Sequence, residues 1–208
     1  MDETLWRAVE RERLSLATLL EELTPEQWET PSLCALWRVR DVAAHVAMTP
    51  TAPSMGTLLR QLARARGDLW AAGAQVAVDH ARRPTGELVE QLRCDAALRS
   101  MPRVTNPDNI LMDALVHGQD VAVPLGIDRP MPTAAAEAAF ARVWGMGWPF
   151  HARRRLAGLR LVATDADVDV GAGAAVEGEL RVLLLLVTGR TEAALRRLHG
   201  AGVERVSR

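Results

Sequence analysis

The chain has 208 residues, 49% of them hydrophobic, and a formal charge of −1, enough for one large domain, or a medium and a small one, around a proper core. The near-neutral balance excludes a global field that recruits nucleic acid or anionic lipid. All 25 basic side chains are arginine and tyrosine is absent, which excludes Schiff-base catalysis, a Walker lysine and a tyrosine acid.

In chain order, apolar residues recur at helical spacing from Glu3 to Leu23, and Thr24-Pro25-Glu26-Gln27 has the order of a capped turn. Pro31 to Trp37 is irregular and leads into a helix from Val39 to Met48, which breaks at Thr49-Pro50 and Pro53. A helical pattern from Ser54 to Arg66 resumes as Leu69 to His80, as one kinked helix or as two. Thr85 is placed to cap a helix reaching Arg99, with Met101-Pro102 as its stop. Asn106-Pro107 opens the next helix, which Pro124 and Gly126 end. Asp128 to Pro132 reads as a linker before an alanine-rich helix from Thr133 to Gly145. Leu159 to Thr164 alternates as a strand should, Val168 to Val170 and the region of Val176 read as further short strands, and helices follow from Leu180 to Val187 and from Thr191 to Leu198. The expected fold is mainly α with a small α/β part: an antiparallel helical bundle over residues 1–130 and a small domain over 131–208.

Two aspartates precede a histidine by four residues on these helices, as Asp41-Val-Ala-Ala-His45 and Asp113-Ala-Leu-Val-His117, and the second stripe continues to Asp120. That spacing stacks the side chains on one helix face, and polar groups on an apolar face need partners. His45, Asp113 and His117 would make a two-histidine, one-carboxylate set that leaves coordination positions open. The competing reading is a pair of hydrogen-bonded core histidines. Asp41 stands at a helix start, where capping is favoured over ligation, and Asp120 is placed behind the ligands, to orient His117 or pair with a bundle arginine. His80, His151 and His199 read as surface positions, and Cys34 as a small buried hydrophobe with nothing charged nearby. Two widely spaced cysteines, no signal-peptide core in Met1 to Arg7 and a longest apolar run of only Val182 to Val187 set the expectation of a reducing, cytoplasmic location without a membrane span.

Leu23-Thr-Pro-Glu-Gln-Trp28, Pro31-Ser-Leu-Cys34, Trp37-Arg-Val-Arg-Asp-Val-Ala-Ala-His45, Asp113-Ala-Leu-Val-His117 and Pro124-Leu-Gly126 together resemble the mycothiol-dependent maleylpyruvate isomerase family. The tail, with Leu159 to Asp165, Gly178, Leu183 to Leu186, Thr188-Gly-Arg190 and Gly200-Ala-Gly202, is similar to that family's small C-terminal domain. The resemblance implies a DinB-like four-helix bundle holding a divalent metal, zinc with Ni2+ or Fe2+ as alternatives, through His45, Asp113 and His117. The family has glutamate where this chain has Asp113. The resemblance further implies mycothiol as a co-substrate activated at the open metal position, an electrophilic small molecule as its acceptor, Arg190 as a cofactor or substrate contact, and a transferase or isomerase reaction; it allows a homodimer. Two alternatives stay open: a non-enzymatic metal-binding or stress-response module on the same bundle, and a metal-water hydrolase.

Overall fold

The computed structural model describes residues 3–51, 55–101 and 105–206, so the expected breaks at Pro53 and Pro102 lie outside the described residues. Among these, helices α1 (Glu3–Glu21), α2 (Pro25–Trp28), α3 (Val39–Met48), α4 (Met55–Arg64), α5 (Leu69–His80), α6 (Thr85–Cys94), α7 (Pro107–Ala122), α8 (Thr133–Gly145) and α9 (Ala152–Arg155) precede a small sheet. Strands β1 (Leu159–Ala163), β2 (Asp169–Gly171) and β3 (Ala174–Gly178) follow, then α10 (Leu180–Val187), α11 (Thr191–Leu195) and α12 (Val203–Val206).

Helix starts obey their local signals. Thr24 and Gln27 exchange side-chain and backbone hydrogen bonds across the start of α2, and Asn106 accepts from the Asn109 N–H while Pro107 fills the first position of α7. Residues 55–80 form two helices, because Arg66 and Gly67 both take left-handed backbone angles that no helix can pass through. Thr85 is the first residue of α6, and the residue before it, Pro84, takes the cap position. That helix stops at Cys94, short of the expected Arg99, and the Ala96 and Leu98 carbonyls beyond it turn instead to the guanidinium of Arg13. Likewise α11 ends before Leu198, because His199 leaves the helix to exchange two backbone hydrogen bonds with Glu177 of β3.

Four helices close a ring: α1 packs on α6 and α7, and α3 packs on the same two from the other side. The α4–α5 pair joins through α5 to α3, while α8 covers the outer side of α7 and α10 covers α8. One apolar cluster, with Leu16, Leu20, Trp28, Val42, Leu88 and Leu92, fills one end of the ring. The other contains Trp6, Val9, Ile110 and Leu115 together with Phe140, Leu161, Val176 and Leu184, and so runs from the bundle into the sheet and α10.

The sheet has the order β2-β1-β3, with β2 antiparallel and β3 parallel to β1. The chain crosses from one edge to the other within two residues, 172–173. Gly173 makes this passage feasible: its φ is +121° and a Cβ there would lie 2.1 Å from the Gly158 carbonyl oxygen. The expected linker 128–132 is instead anchored. Arg129 is buried against Glu12, with Nη2 3.1 Å from Oε2, and donates to Ser15 Oγ. Gly118, in the middle of α7, leaves the space its side chain occupies, since a Cβ would meet Arg129 Nε at 2.7 Å. No helix of the described residues is long and apolar enough to cross a membrane.

Candidate metal centre

The site is built on α3 and α7, adjacent members of the ring. Residues 30–39 fold back as a tight loop in which the Ser32 N–H and hydroxyl both donate to the Trp37 carbonyl, and the Val39 N–H to that of Thr30. Asp41 then accepts from the Arg38 backbone N–H at 2.9 Å and from its guanidinium through both carboxylate oxygens, so its charge is spent on the start of α3. One turn later stands His45.

On α7 the four- and three-residue spacings put Asp113, His117 and Asp120 in line. His45 Nε2 lies 3.3 Å and 3.4 Å from the two oxygens of Asp113, and His117 Nε2 lies 3.3 Å from Asp113 Oδ1. One donor atom from each of the three residues lies within 4.8 Å of the others. These separations exceed the ~2.7–2.9 Å of a charge-assisted hydrogen bond. They match instead the edge, about 3.3 Å, of a tetrahedron of ligands at ~2.0–2.1 Å from a central ion. Two imidazoles and a carboxylate therefore fit a zinc-type divalent cation. The side chains are 30% exposed at His45, 26% at Asp113 and 11% at His117, so the cluster is open to solvent from the His45 side.

Behind it, Asp120 Oδ2 lies 2.8 Å from His117 Nδ1. A carboxylate only accepts, so Nδ1 carries a proton, and Nε2, which faces Asp113, is the nitrogen that would bind a cation on losing its own proton. Arg190, just before α11, donates from Nε and Nη2 to the two oxygens of Asp120, at 3.0 and 2.7 Å, and from Nη1 to the Thr188 carbonyl. Burial pushes the Asp120 carboxyl up, but the His117 N–H and the Arg190 charge outweigh it and hold the group at about 2. Burial likewise disfavours charge on Asp113, and the two histidines outweigh it, leaving Asp113 well below the usual carboxylate range. Asp113 and Asp120 in turn raise His117 well above an ordinary imidazole against the effect of its burial.

Two residues of this cluster escape the sequence reading. Trp37 lies over both imidazoles, with ring centroids 5.3 Å from His45 and 6.1 Å from His117. Its signal is slight: an aromatic two residues before a helix start. Cys34 is half-buried and packs against the apolar cluster of Leu16 and Val42, as a small hydrophobe would, but charged groups are near it as well. Its Sγ lies 3.1 Å from Asp120 Oδ2, 3.3 Å from Arg190 Nη2 and 3.7 Å from His117 Nδ1, because the Leu33 N–H bonds to the Asp120 carbonyl and draws the loop onto α7. His80 is half-buried rather than a surface residue, with Nε2 2.8 Å from Gln91 Oε1, and burial lowers its pKa. His199 is exposed as expected, and His151 is half-buried.

Residues 9–122 match the family model described as the mycothiol maleylpyruvate isomerase N-terminal domain. Among solved structures, the chain is similar to a crystal structure of the mycothiol-dependent maleylpyruvate isomerase and to that of a histidine-to-alanine variant of the same enzyme. Each match has 16% sequence identity and a TM-score of 0.56 and covers 92% of both chains; the mainly helical fold with its small C-terminal sheet is thus shared over nearly the whole length. No curated protein sequence matches the chain.

Proposed function

Because the chain belongs to the mycothiol maleylpyruvate isomerase N-terminal domain family, we propose that it is a divalent-metal-dependent enzyme that activates mycothiol and uses it on an electrophilic small molecule, as a transferase or an isomerase. The observation that carries this reading is the convergence of His45, Asp113 and His117 from two helices into one set of donor atoms. These three would hold the ion, zinc by preference, with nickel or ferrous iron as alternatives. When bound there, such a cation would supply the Lewis acidity that lets a thiol ionise near neutral pH without a strong base.

The chain's own residues do the rest. Asp120 keeps the His117 proton on Nδ1 and fixes the ring, and Arg190 keeps Asp120 anionic and in place. Trp37 shields one side of both imidazoles. Asp113, one methylene shorter than the glutamate that the resemblance implies, would hold a bound ion close to α7. Arg190 also carries the proposed contact to the thiol co-substrate, through the second Nη1 N–H, the first being given to the Thr188 carbonyl while Nε and Nη2 are given to Asp120. The free cysteines suit the reducing cytoplasm proposed as the location.

Calorimetric titration of zinc-loaded protein with mycothiol and, separately, glutathione tests the reading. Binding of mycothiol in preference to glutathione is expected. Heat from neither thiol would sink the thiol chemistry and favour a metal-binding module or a hydrolase.

A further inference from the structure

Cys34 is a nucleophilic side chain that the proposed thiol chemistry leaves idle. It stands where the loop before α3 meets α7, and polar groups hold its sulfur. The thiol donates to Asp120 Oδ2 at 3.1 Å, Arg190 Nη2 donates to the sulfur at 3.3 Å, and His117 Nδ1 lies 3.7 Å away. The thiol proton is therefore turned toward a carboxylate and a sulfur lone pair toward a guanidinium. Reactive cysteines occupy such electropositive, partly open surroundings, whereas inert ones are sealed among apolar groups. Cys34 is half-buried, which keeps its sulfur within reach of a small reagent.

The same contacts tie this thiol to the metal donors. Asp120 Oδ2 accepts from Cys34 Sγ, from Arg190 Nη2 at 2.7 Å and from His117 Nδ1 at 2.8 Å. The Asp120 side chain has no exposed surface, so a donor lost there is not replaced from solvent. An oxygen added to the sulfur has to displace one of these contacts, because Oδ2 and Nη2 already stand at contact distance. The added oxygen is also an acceptor, and it competes with Asp120 for the N–H groups of Arg190 and His117.

We propose that Cys34 is a peroxide-reactive thiol whose oxidation to the sulfenic acid loosens the hold of Asp120 on His117, and so lowers the affinity of the candidate centre for its cation. The reagent is a small hydroperoxide, hydrogen peroxide in the simplest case. The sulfur attacks one peroxide oxygen; an S–O bond forms and the O–O bond breaks. Sulfur gives up an electron pair, the peroxide takes it, and the departing hydroxide leaves with the thiol proton as water, so thiol plus peroxide becomes sulfenic acid plus water. Arg190 Nη2 is placed to stabilise the negative charge that develops in the step. The reactivity of the thiol stands on its own surroundings; the effect on the ion rests on the proposed metal centre.

Hydrogen peroxide is added to the full chain, zinc-loaded or chelator-treated, with dimedone as the sulfenic-acid trap, and the adduct at each cysteine is followed by peptide mass spectrometry. The more exposed Cys94, at the end of α6, is the internal reference. Cys34 is expected to be trapped about tenfold faster than Cys94 or more, and Arg190→Gln to slow that trapping about tenfold. A chromogenic zinc chelator reads the same samples: release should track the Cys34 adduct, persist in Cys94→Ser and vanish in Cys34→Ser. Cys34 left unmodified, or trapped no faster than Cys94, would overturn the proposal, as would full modification of Cys34 with the zinc retained. Trapping in wild type needs no variant, so a misfolded Arg190→Gln or Cys34→Ser leaves the test intact. A chain that takes up no zinc at all would sink the metal reading, while trapping in the chelator-treated protein still decides for or against the thiol.

Discussion

Asp120 shows how a single residue couples chemistry to stability. Its carboxyl is held at about 2, below the ordinary aspartate range. A folded value below the unfolded one stabilises the protein fully above the unfolded pKa, and the stabilisation disappears as pH falls through the folded value. In chelator-treated protein, Asp120→Asn should cost about 2 kcal/mol at neutral pH. Its urea midpoint should approach that of wild type as pH falls from about 5 to about 2. In zinc-loaded protein the same substitution should weaken metal binding by roughly 10–100-fold, read by chelator competition, because the His117 ring loses its anionic acceptor. Leu36 gives a test of the opposite sign. It is fully exposed with φ +67°, a left-handed conformation that costs a leucine about 1–2 kcal/mol. Leu36→Gly should therefore raise the urea midpoint, by about 0.5 kcal/mol after the glycine's greater unfolded entropy is deducted. The residue-level signals differ in legibility for a physical reason. The Asp113–His117–Asp120 stripe is visible in the sequence because helical spacing alone aligns it. Cys34 and Trp37 reach the cluster through a loop whose path is set by hydrogen bonds to α7, and no periodicity encodes that.

At the level of elements, long amphipathic helices and their starts are legible because propensity, capping and periodicity agree there. Asn106 is the clearest case. Asn106→Ala should cost about 1 kcal/mol, measured by urea unfolding, through loss of the bond to the Asn109 N–H. Element ends are less legible where a distant partner decides them. Arg13 takes the carbonyls that would have extended α6, and β3 takes His199 from α11. The parallel pairing of β1 and β3 is also a product of tertiary structure: three short strands are readable from alternation, but their order depends on the crossing at Gly173. Its φ of +121° and the Gly158 oxygen 2.1 Å from a would-be Cβ imply that Gly173→Ala destabilises the sheet severely.

On the scale of the whole molecule, a bundle over residues 1–130 and a smaller unit over 131–208 remain our proposal for its organisation, and the two are tied by Arg181 and Arg190. Arg181 on α10 donates to the Arg129 carbonyl, and Arg190 reaches from the C-terminal part to Asp120 on α7. The shared apolar cluster from Trp6 to Leu184 implies one cooperative calorimetric transition, and Glu12→Ala, which strands a buried guanidinium, should lower its midpoint by the equivalent of about 3 kcal/mol or more. This coupling makes the C-terminal part a structural support of the candidate metal centre. Everything rests on the three donors of α3 and α7 holding an ion. Elemental analysis of purified wild type, His45→Ala and His117→Ala is the most direct test. About one divalent metal per wild-type chain and little in either variant is the expected result; equal metal content in all three proteins would contradict it.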